Sequence, residues 1–180
     1  TNAMLPPGFV NCNQTGNSHE GDYALQLKTI NMDGTIIPAV ATLGELGLGY
    51  TTGGIAFNSK PESLSGYFIH PSAGDEVMLA VQFYKDGVEI GGGYWSTTDS
   101  IADFTQFNIN ITYSTSDNPD TMNITVLTDP WFVGSSMTID ALNLVFPITD
   151  IQEKSVIKPL LYPNPCQNRV FLEQTNGKVY

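Results

Sequence analysis

The amino-acid sequence predicts an all-β protein, a jelly-roll β-sandwich of two antiparallel sheets. Charged residues make up only 14% of the 180 residues, whereas globular domains usually contain about 25%. Apolar residues account for 41% of the chain, which is enough to build a core. Short alternations of apolar and polar residues, separated by Gly, Pro, Asn and Asp, recur through the first 150 residues. This combination favours short strands and turns over long helices.

Three alternating runs give the clearest strands, at 23–27, 77–83 and 107–113. Alternate side chains of a strand point to opposite faces, so one side of each run is predicted to face a core. After the second run, Lys85-Asp86-Gly87 has the chemistry of a tight turn and leads into a strand at 88–90. We therefore expect a β-hairpin there.

A second hairpin is predicted where the third run meets the turn residues Asp117-Asn118-Pro119-Asp120, followed by a strand at 122–126. Weaker strand candidates lie at 36–43, 53–57, 64–70 and 137–146. Eight or more short strands without a convincing helix are typical of a β-sandwich, and of the jelly-roll type in particular.

The charge of the chain is strongly negative and unevenly distributed. The net charge is −11, and residues 1–150 carry 16 acidic and 3 basic residues against 2 acidic and 4 basic residues in 151–180. An acidic surface repels phosphate, so nucleic acid is not expected as a partner. No apolar run approaches the roughly 18 residues of a membrane span, so no transmembrane segment is expected. Residues 1–4 are interpreted as a remnant of expression.

The change in charge coincides with a run of prolines that predicts a domain boundary near residue 150. Proline interrupts both helices and strand ladders, and Pro147, Pro159, Pro163 and Pro165 fall within 19 residues. We divide the chain into a β-sandwich at 1–150, a linker at 151–160 and a C-terminal segment at 161–180.

A series of short motifs in the first domain resembles a known family. The motifs are Gly21-Asp22-Tyr23-Ala24-Leu25-Gln26-Leu27-Lys28-Thr29, Thr52-Gly53-Gly54-Ile55-Ala56-Phe57, Leu64-Ser65-Gly66-Tyr67, Gly91-Gly92-Gly93, Phe104-Thr105-Gln106-Phe107 and Gly134-Ser135-Ser136-Met137-Thr138-Ile139-Asp140. Their order is similar to that of a provisionally named carbohydrate metabolism domain found in secreted proteins of the Bacteroidetes, and the resemblance covers about residues 20–146. It implies a jelly-roll similar to carbohydrate-binding modules, attached to surface proteins, and it gives no evidence for an enzyme.

The tail carries the sharpest motif, Leu161-Tyr162-Pro163-Asn164-Pro165-Cys166. It resembles the opening of a type IX secretion C-terminal sorting domain, with Cys166 where that family usually has alanine or another small residue. The resemblance implies the type IX secretion machinery as a partner and a secreted or cell-surface location. The sorting domain is expected to be incomplete here. Alternatively, this segment is only an extended, proline-rich linker.

Catalytic chemistry finds little support in the sequence. No motif for a nucleophile, a zinc site or a phosphate loop is present, and neither His19 nor His70 has a convincing partner in the sequence. Glycoside hydrolysis requires two carboxylates about 5–10 Å apart. The candidates, Asp99 with Asp103 and Asp117 with Asp120, lie in turns, where aspartate commonly bonds to nearby backbone. We therefore predict that the protein is not an enzyme.

Sugar binding requires an exposed aromatic ring beside amides and carboxylates. Tyr94 and Trp95 follow three glycines, so one of these adjacent rings points outward if they lie on a strand. Trp131 follows Asp129-Pro130, a loop-like context. Trp95, Tyr94 and Trp131 are thus the predicted ligand-binding residues, with capping of the core as the alternative for these rings. The glycines themselves are explained by a tight bend or close strand packing.

Asp140 is a carboxylate within a mostly apolar strand, so its position requires an explanation. Jelly-roll carbohydrate modules often hold a structural Ca²⁺ between the first strands and an aspartate of the last strand, and the resemblance places Asp140 there, with Glu20 or Asp22 as a second ligand. Calcium prefers such oxygen ligands. Alternatively, Asp140 points to solvent or accepts hydrogen bonds from backbone amides.

Two further questions stay open at this stage. Cys12 and Cys166 form either a disulfide or two independent thiols. A non-catalytic carbohydrate-binding module, secreted or at the cell surface, is the favoured function. A structural or adhesion module that contacts proteins is the alternative, and a glycoside hydrolase is the third reading.

Overall fold

The computed structural model of the chain describes residues 5, 6, 8–47, 50–147, 160–162 and 171–173, with side chains up to residue 147. The chain divides into two compact units, Thr1–Pro147 and Ile148–Tyr180. In the second unit, Leu160–Tyr162 and Phe171–Glu173 form a two-stranded antiparallel sheet. The remaining residues of the predicted linker and sorting segment, including Cys166, lie outside the described residues.

The first unit consists of strands and turns, and no helix occurs among the described residues, which confirms the predicted all-β fold class. Accordingly, no helix there is suited to crossing a membrane. The strands are β1 (Cys12–Thr15), β2 (Ala24–Lys28), β3 (Ile30–Met32), β4 (Thr35–Ile37), β5 (Val40–Thr42), β6 (Glu45–Leu46), β7 (Thr51–Thr52), β8 (Ile55–Ala56), β9 (Ser63–His70), β10 (Val77–Lys85), β11 (Val88–Thr97), β12 (Ile101–Asn110), β13 (Thr112–Tyr113), β14 (Thr121–Leu127) and β15 (Ser136–Val145).

Two antiparallel sheets form the sandwich. The five-stranded sheet has the order β1-β2-β15-β9-β12, and the six-stranded sheet has the order β13-β11-β10-β14-β5, with β8 also pairing with β14. Two small hairpins, β3–β4 and β6–β7, complete the connection before β8. Along the chain, β1 and β2 lie in the five-stranded sheet and β5 and β8 in the six-stranded sheet. The chain then returns to the five-stranded sheet at β9, β12 and β15, with strands of the six-stranded sheet between them, as in a jelly-roll of two sheets.

The core lies between the sheets and follows from the alternation along the strands. Val77, Leu79, Val81 and Phe83 of β10 are completely buried. They pack with apolar residues of both sheets, among them Leu27, Leu64, Phe68, Phe107, Ile109, Met122, Val126, Met137 and Ile139. The other face of each sheet is turned away from this core, so outward positions of β10 and β14 are available to bind a ligand.

The predicted β10–β11 hairpin is confirmed. Asp86 and Gly87 both have positive φ angles, 50–80° in round terms, which suits the right-handed twist of paired strands. A β-bulge interrupts the register between Phe83 and Tyr84, so Tyr84 pairs with Glu89 whereas Phe83 pairs with Gly91. Ile90 is the extra residue.

The second predicted hairpin is wrong. β12 pairs with β9 in the five-stranded sheet, whereas β14 pairs with β10 and β5 in the six-stranded sheet. The segment between them crosses from one sheet to the other, and β13 pairs with β11 on the way. The turn residues at 117–120 do reverse the chain, but turn chemistry specifies a reversal and not the strand that is reached.

Candidate functional site

The outward side of the six-stranded sheet, here called the outer face, carries two cavities. Strand β10 contributes its outward residues Met78, Ala80, Gln82 and Tyr84 to this face, and β14 contributes Asn123 and Thr125 opposite Gln82 and Ala80. One cavity opens over β11 and the other over β14 and β5.

The polar cavity has a volume of about 500 Å³. Its central polar pair is Gln82 and Glu89, in which Gln82 Nε2 donates a 2.8 Å hydrogen bond to Glu89 Oε2. The ring of Tyr94 stands beside this pair and is 74% exposed. The remaining lining is small or polar, and the full set is Ala80, Val81, Gln82, Glu89, Gly92, Gly93, Tyr94, Asn110 and Thr112.

Gly92 and Gly93 both line the polar cavity, but they face opposite sides of the sheet. Gly92 lies between Gln82 and Thr112, and a Cβ there would come within 2.6 Å of the Val81 carbonyl oxygen. Gly93 pairs with inward-facing Val81, and a Cβ there would overlap the carbonyl oxygen of Asn110 on the other sheet. Close packing therefore excludes side chains at both positions, which confirms that explanation of the glycine run. Because Gly92 faces outward, its missing side chain leaves the outer face open beside Tyr94.

The β-bulge decides which of the two adjacent rings faces outward. With the bulge, Tyr94 pairs with outward-facing Ala80, and Trp95 pairs with inward-facing Leu79. Without it, continuing the turn-proximal register would bring Tyr94 opposite Leu79 and turn Trp95 outward. One extra residue, Ile90, thus places the tyrosine on the outer face.

Trp95 packs into the core. Its ring centroid lies 4.5 Å from that of Phe68 in an edge-to-face arrangement and 5.4 Å from that of Phe107 in a stacked one. The faces that a sugar would need are therefore in contact with protein. Of the adjacent pair, the geometry supports Tyr94 as a ligand-binding residue and gives Trp95 a packing role.

The apolar cavity has a volume of about 680 Å³ and lies over β14 and β5. No charged side chain is among its lining residues, and its polar groups are few. The lining comprises Leu5, Asn11, Met32, Ile37, Pro38, Val40, Leu46, Gly47, Tyr50, Thr51, Thr125, Leu127 and Pro130. Ligand cavities of about 300–1,000 Å³ commonly have this mainly apolar character.

Asn123 fastens the β6–β7 region over the outer face of β14. This buried amide accepts hydrogen bonds from Thr42 Oγ1 (2.8 Å) and the Gly44 backbone N–H (3.0 Å) through Oδ1. Its Nδ2 donates to Thr51 Oγ1 at 3.4 Å. These bonds hold the segment whose Leu46 and Thr51 line the apolar cavity, and nothing in the sequence around Asn123 predicted this role.

The electrostatics of the outer face are neutral to negative. The first 150 residues contain three basic side chains, Lys28, Lys60 and Lys85, and none of them lines either cavity. Burial, followed by the charge of Glu89, raises the pKa of the Tyr84 hydroxyl on the same face. Such a surface disfavours sulfated or uronic-acid ligands and suits an uncharged one.

Trp131 is 84% exposed and lines neither cavity, although its neighbour Pro130 lines the apolar one. The loop that carries it is held firmly. Asp129 Oδ1 accepts a 2.8 Å hydrogen bond from the Trp131 N–H, and the buried hydroxyl of Thr29 donates to the Asp129 carbonyl oxygen. The structure therefore presents Trp131 on a fixed loop and places it outside the site that contains Tyr94.

Asp140 holds the N-terminal loop against the five-stranded sheet. Its Oδ2 accepts hydrogen bonds from the N–H groups of His19 (2.7 Å) and Glu20 (3.0 Å), and its Oδ1 accepts one from Ala141. Burial acts to raise the pKa of Asp140, but the amides of Glu20, Ala141 and His19 outweigh it, so the pKa is lowered. Sequence analysis gave two alternatives to calcium binding, an Asp140 side chain that points to solvent or one that accepts hydrogen bonds from backbone amides. The second describes this geometry.

The structure leaves the predicted calcium site untested. No group of three or more His, Cys, Asp or Glu side chains suited to a metal occurs in the part of the chain that the structure describes. Both oxygens of Asp140 are engaged by amides, and the link to Glu20 runs through its backbone and not its carboxylate. Calcium binding by Asp140, Glu20 and Asp22 stays a prediction.

Among the candidate catalytic carboxylates, that of Asp120 binds groups of nearby turns. Asp120 accepts hydrogen bonds from the Asp86 N–H (2.8 Å) and the Thr121 hydroxyl (2.9 Å). The Asp86 amide, then Thr121 and Lys85, lower the pKa of Asp120, so it stays ionised and is unsuited to acid catalysis. Backbone N–H groups of Asp99 and Asp117 bond to Thr97 and Thr115.

Both histidines have partners that sequence analysis missed. His70 and Asp75 are completely buried, with Nε2 of His70 3.7 Å from Asp75 Oδ1. The His70 ring also meets the carbonyl oxygens of Ser136 at 2.8 Å and Asp75 at 3.2 Å. His19 stacks on Tyr67 with 3.6 Å between ring centroids. Burial of the first pair excludes a substrate, so the contact between His70 and Asp75 is structural.

Cys12 is buried, and its Sγ lies 3.5 Å from the Val40 carbonyl oxygen. Burial raises the pKa of this thiol. Because Cys166 lies outside the described residues, the question of a disulfide between them stays as the sequence left it.

Comparisons with known proteins define the fold of this chain. Neither a scan against family models nor a search of curated proteins found a match. Among solved structures, two provisionally named glycoside hydrolases are similar: one from Bacteroides thetaiotaomicron VPI-5482 (TM-score 0.59, 13% identity) and one from Bacteroides vulgatus ATCC 8482 (TM-score 0.58, 16% identity). The matches cover 78% and 75% of this chain and 58% and 77% of those chains.

A carbohydrate-binding module, "Family 16 Carbohydrate Binding Module-2", also matches, with a TM-score of 0.49 and 12% identity over 78% of this chain and 89% of that one. The chain spans under two thirds of the first hydrolase. At 13% and 16% identity, the likeness to the two hydrolases shows a shared fold, and function has to be argued from the site.

Proposed function

We propose that this protein is a non-catalytic carbohydrate-binding module whose polar cavity holds a neutral sugar. The observation that carries the proposal is the exposed ring of Tyr94 beside the Gln82–Glu89 pair in an open cavity. An aromatic face packs against the apolar face of a pyranose, while the amide and carboxylate bond to its hydroxyl groups. The lack of lysine or arginine in the lining favours an uncharged sugar.

The same lining argues against hydrolysis. Glu89 is the one carboxylate among the residues that line the polar cavity, whereas most glycoside hydrolases require a pair. The likeness to two proteins named as hydrolases concerns the fold. Binding without turnover is therefore the function that this site supports best.

A glycan array on the full chain tests the proposal, with Tyr94→Ala as the diagnostic variant and Trp131→Ala as the matched control. Loss of an interface aromatic ring commonly costs more than about 1 kcal/mol, so we expect at least roughly fivefold weaker binding for Tyr94→Ala. Trp131→Ala, which removes an exposed ring outside both cavities, should bind like the parent. A blank array, or equal loss in both variants, would reject this site.

The adhesion alternative is favoured by one observation: Trp131, Phe132 and Val133 form an exposed apolar tip on the fixed loop after β14. Exposed apolar groups of this kind mark protein contacts. Under this alternative Trp131→Ala, and not Tyr94→Ala, abolishes attachment to cells or to envelope proteins.

We also propose a secreted or cell-surface location, reached through the type IX machinery. The support is the tail motif at 161–166 and the resemblance of the sandwich to surface proteins. Expression of the chain in a host with type IX secretion, followed by fractionation of parent and tail-deleted proteins, tests this location.

A further inference from the structure

The two cavities on the outer face are separated by a single pair of residues. Ala80 lines the polar cavity and Thr125 lines the apolar cavity, and these residues are direct partners on β10 and β14. Directly opposed residues of antiparallel strands lie only about 5 Å apart. A molecule of modest length is therefore long enough to reach from one cavity to the other.

The chemistry of the two cavities differs sharply. Polar groups that suit hydroxyls surround Gln82 and Glu89, whereas Met32, Ile37, Val40 and Leu127 surround the second cavity without any charge. The hydroxyl groups of a sugar find few partners in a 680 Å³ space whose lining is mainly apolar. A saturated hydrocarbon chain suits this space better, because removing its methylene groups from water favours binding.

We propose that this protein recognises an alkylated or acylated sugar, with the sugar in the polar cavity and the hydrocarbon chain in the apolar cavity. The inference rests on the proposed function of the polar cavity. Its occupant is a single amphiphilic molecule, and the Ala80–Thr125 pair marks the passage between its two parts. Ile37 of the β3–β4 hairpin and the exposed Tyr50 line the apolar cavity and contact the hydrocarbon chain.

The test compares three probes below their micellar concentrations: 1-octanol, a panel of neutral methyl glycosides, and the matching n-octyl glycosides. Binding is measured by calorimetry on the full chain and by methyl NMR signals of Met32, Ile37 and Leu127. We expect 1-octanol to shift these signals saturably. At least one octyl glycoside should bind no less than tenfold more tightly than both 1-octanol and its methyl counterpart, and should also shift signals of Gln82 and Tyr94.

Two neighbouring substitutions provide the matched control. Ile37→Glu places a charge in the apolar cavity and should remove the octyl advantage, whereas Ile36→Glu makes the same change at a residue outside the lining. Ile36 and Ile37 are both half-buried, so similar folding is expected. Tyr50→Ala, at an exposed position, serves as a second test variant if Ile37→Glu does not fold.

The outcomes separate the two proposals. If methyl and octyl glycosides bind equally at Tyr94 without moving the cavity methyl signals, the sugar site stands and the hydrocarbon site is overturned. If 1-octanol binds but no glycoside perturbs Gln82 or Tyr94, the sugar site fails and the combined recognition is overturned with it. If Ile36→Glu and Ile37→Glu weaken octyl glycoside binding equally, the hydrocarbon chain does not occupy the apolar cavity and the proposal is rejected.

Discussion

Two carboxylates on opposite faces of the sandwich have very different surroundings. Asp140, on the five-stranded sheet, accepts three backbone N–H groups and ties the N-terminal loop to the sheet. Glu89, on the six-stranded sheet, bonds to one side-chain amide and borders an open cavity. A carboxylate that already accepts several backbone N–H groups has few acceptor positions left for a ligand. A carboxylate bonded to a single side-chain amide still has acceptor positions available.

Asp75 extends this comparison to a third, fully buried carboxylate. Ser72 Oγ donates to its Oδ2 at 3.0 Å, and the ring of His70 lies close by. The His70 ring nitrogens lie 2.8 Å from the Ser136 carbonyl oxygen and 3.2 Å from the Asp75 carbonyl oxygen. Asp75, which is fully buried, therefore belongs to a polar cluster with Ser72 and His70.

The largest expected effect follows from Asp75→Asn. The replacement amide carries no charge and accepts fewer hydrogen bonds than the buried carboxylate, and loss of a hydrogen bond to a charged group costs about 1.5–3 kcal/mol. We expect the free energy of unfolding at neutral pH to fall by that amount, as measured by urea denaturation. Glu76→Gln, an exposed neighbour at the start of β10, serves as the control and should stay within about 0.5 kcal/mol of the parent.

The Asp75 effect should also depend on pH. Burial alone would raise the pKa of Asp75, but the hydroxyls of Ser135 and Ser72 and the charge of His70 lower it overall. A lowered carboxyl pKa stabilises the fold above the ordinary value and loses that contribution as the pH falls through the folded value. The difference between parent and Asp75→Asn should therefore shrink in acid; a constant difference would contradict the ionic role.

A smaller effect is expected for Asp140→Ala. Each hydrogen bond to a charged group contributes roughly 1.5–3 kcal/mol, but this site is partly exposed, so a loss of about 1–2 kcal/mol is expected. Amide hydrogen exchange at His19 and Glu20 should accelerate, while the core of β10 keeps its protection. Asp22→Ala, in the same N-terminal region, is the control for charge removal. Unchanged exchange at both amides would show that other contacts hold the loop.

The same variants test the predicted calcium. If Asp140 and its neighbours bind Ca²⁺ in the folded state, the melting temperature of the parent rises with added calcium, and that of Asp140→Ala does not. No shift for the chelated parent on addition of calcium would remove the ion from consideration.

The strands were predictable where the evidence for them was local. The alternation from Val77 to Phe83 gave the buried face of β10 correctly, and Asp86-Gly87 gave its hairpin. The partner of β12 was not predictable in the same way. Its sheet is determined by pairing with β9, some 40 residues earlier in the chain, and the turn at 117–120 carries no information about that partner.

The sequence predicted that one aromatic ring of the site faces outward, but not which one. The adjacent pair Tyr94-Trp95 indicated that one ring points outward, but the choice depends on the bulge at Ile90, which shifts the register by one residue. The same strand register places Gln82 and Glu89 on the outer face beside the cavity. The apolar cavity combines distant segments, such as Ile37 and Leu127, and no local pattern relates them. Long-range pairing therefore accounts for most of what was missed.

Glu89→Gln gives the smallest change in stability and the sharpest test of the comparison. Because Glu89 is exposed, we expect the free energy of unfolding of the variant to stay within about 0.5 kcal/mol of that of the parent. Hydrogen bonds from sugar hydroxyls to a carboxylate are stronger than those to an amide, so affinity for neutral glycans should fall roughly three- to tenfold. Calorimetry on the best glycan from the array measures this change.

An internal readout shows whether Glu89→Gln acts locally. Burial and then the negative charge of Glu89 raise the pKa of Tyr84, so removing the charge should lower that pKa toward its ordinary value in an ultraviolet titration. In Tyr113, burial raises the pKa to about 12 without a carboxylate among its causes, so it should not move. A lowered Tyr84 pKa with unchanged glycan affinity would mean that Glu89 affects the electrostatic potential of the outer face but does not bind the sugar. Gln82 and Tyr94 would then be the residues that bind it.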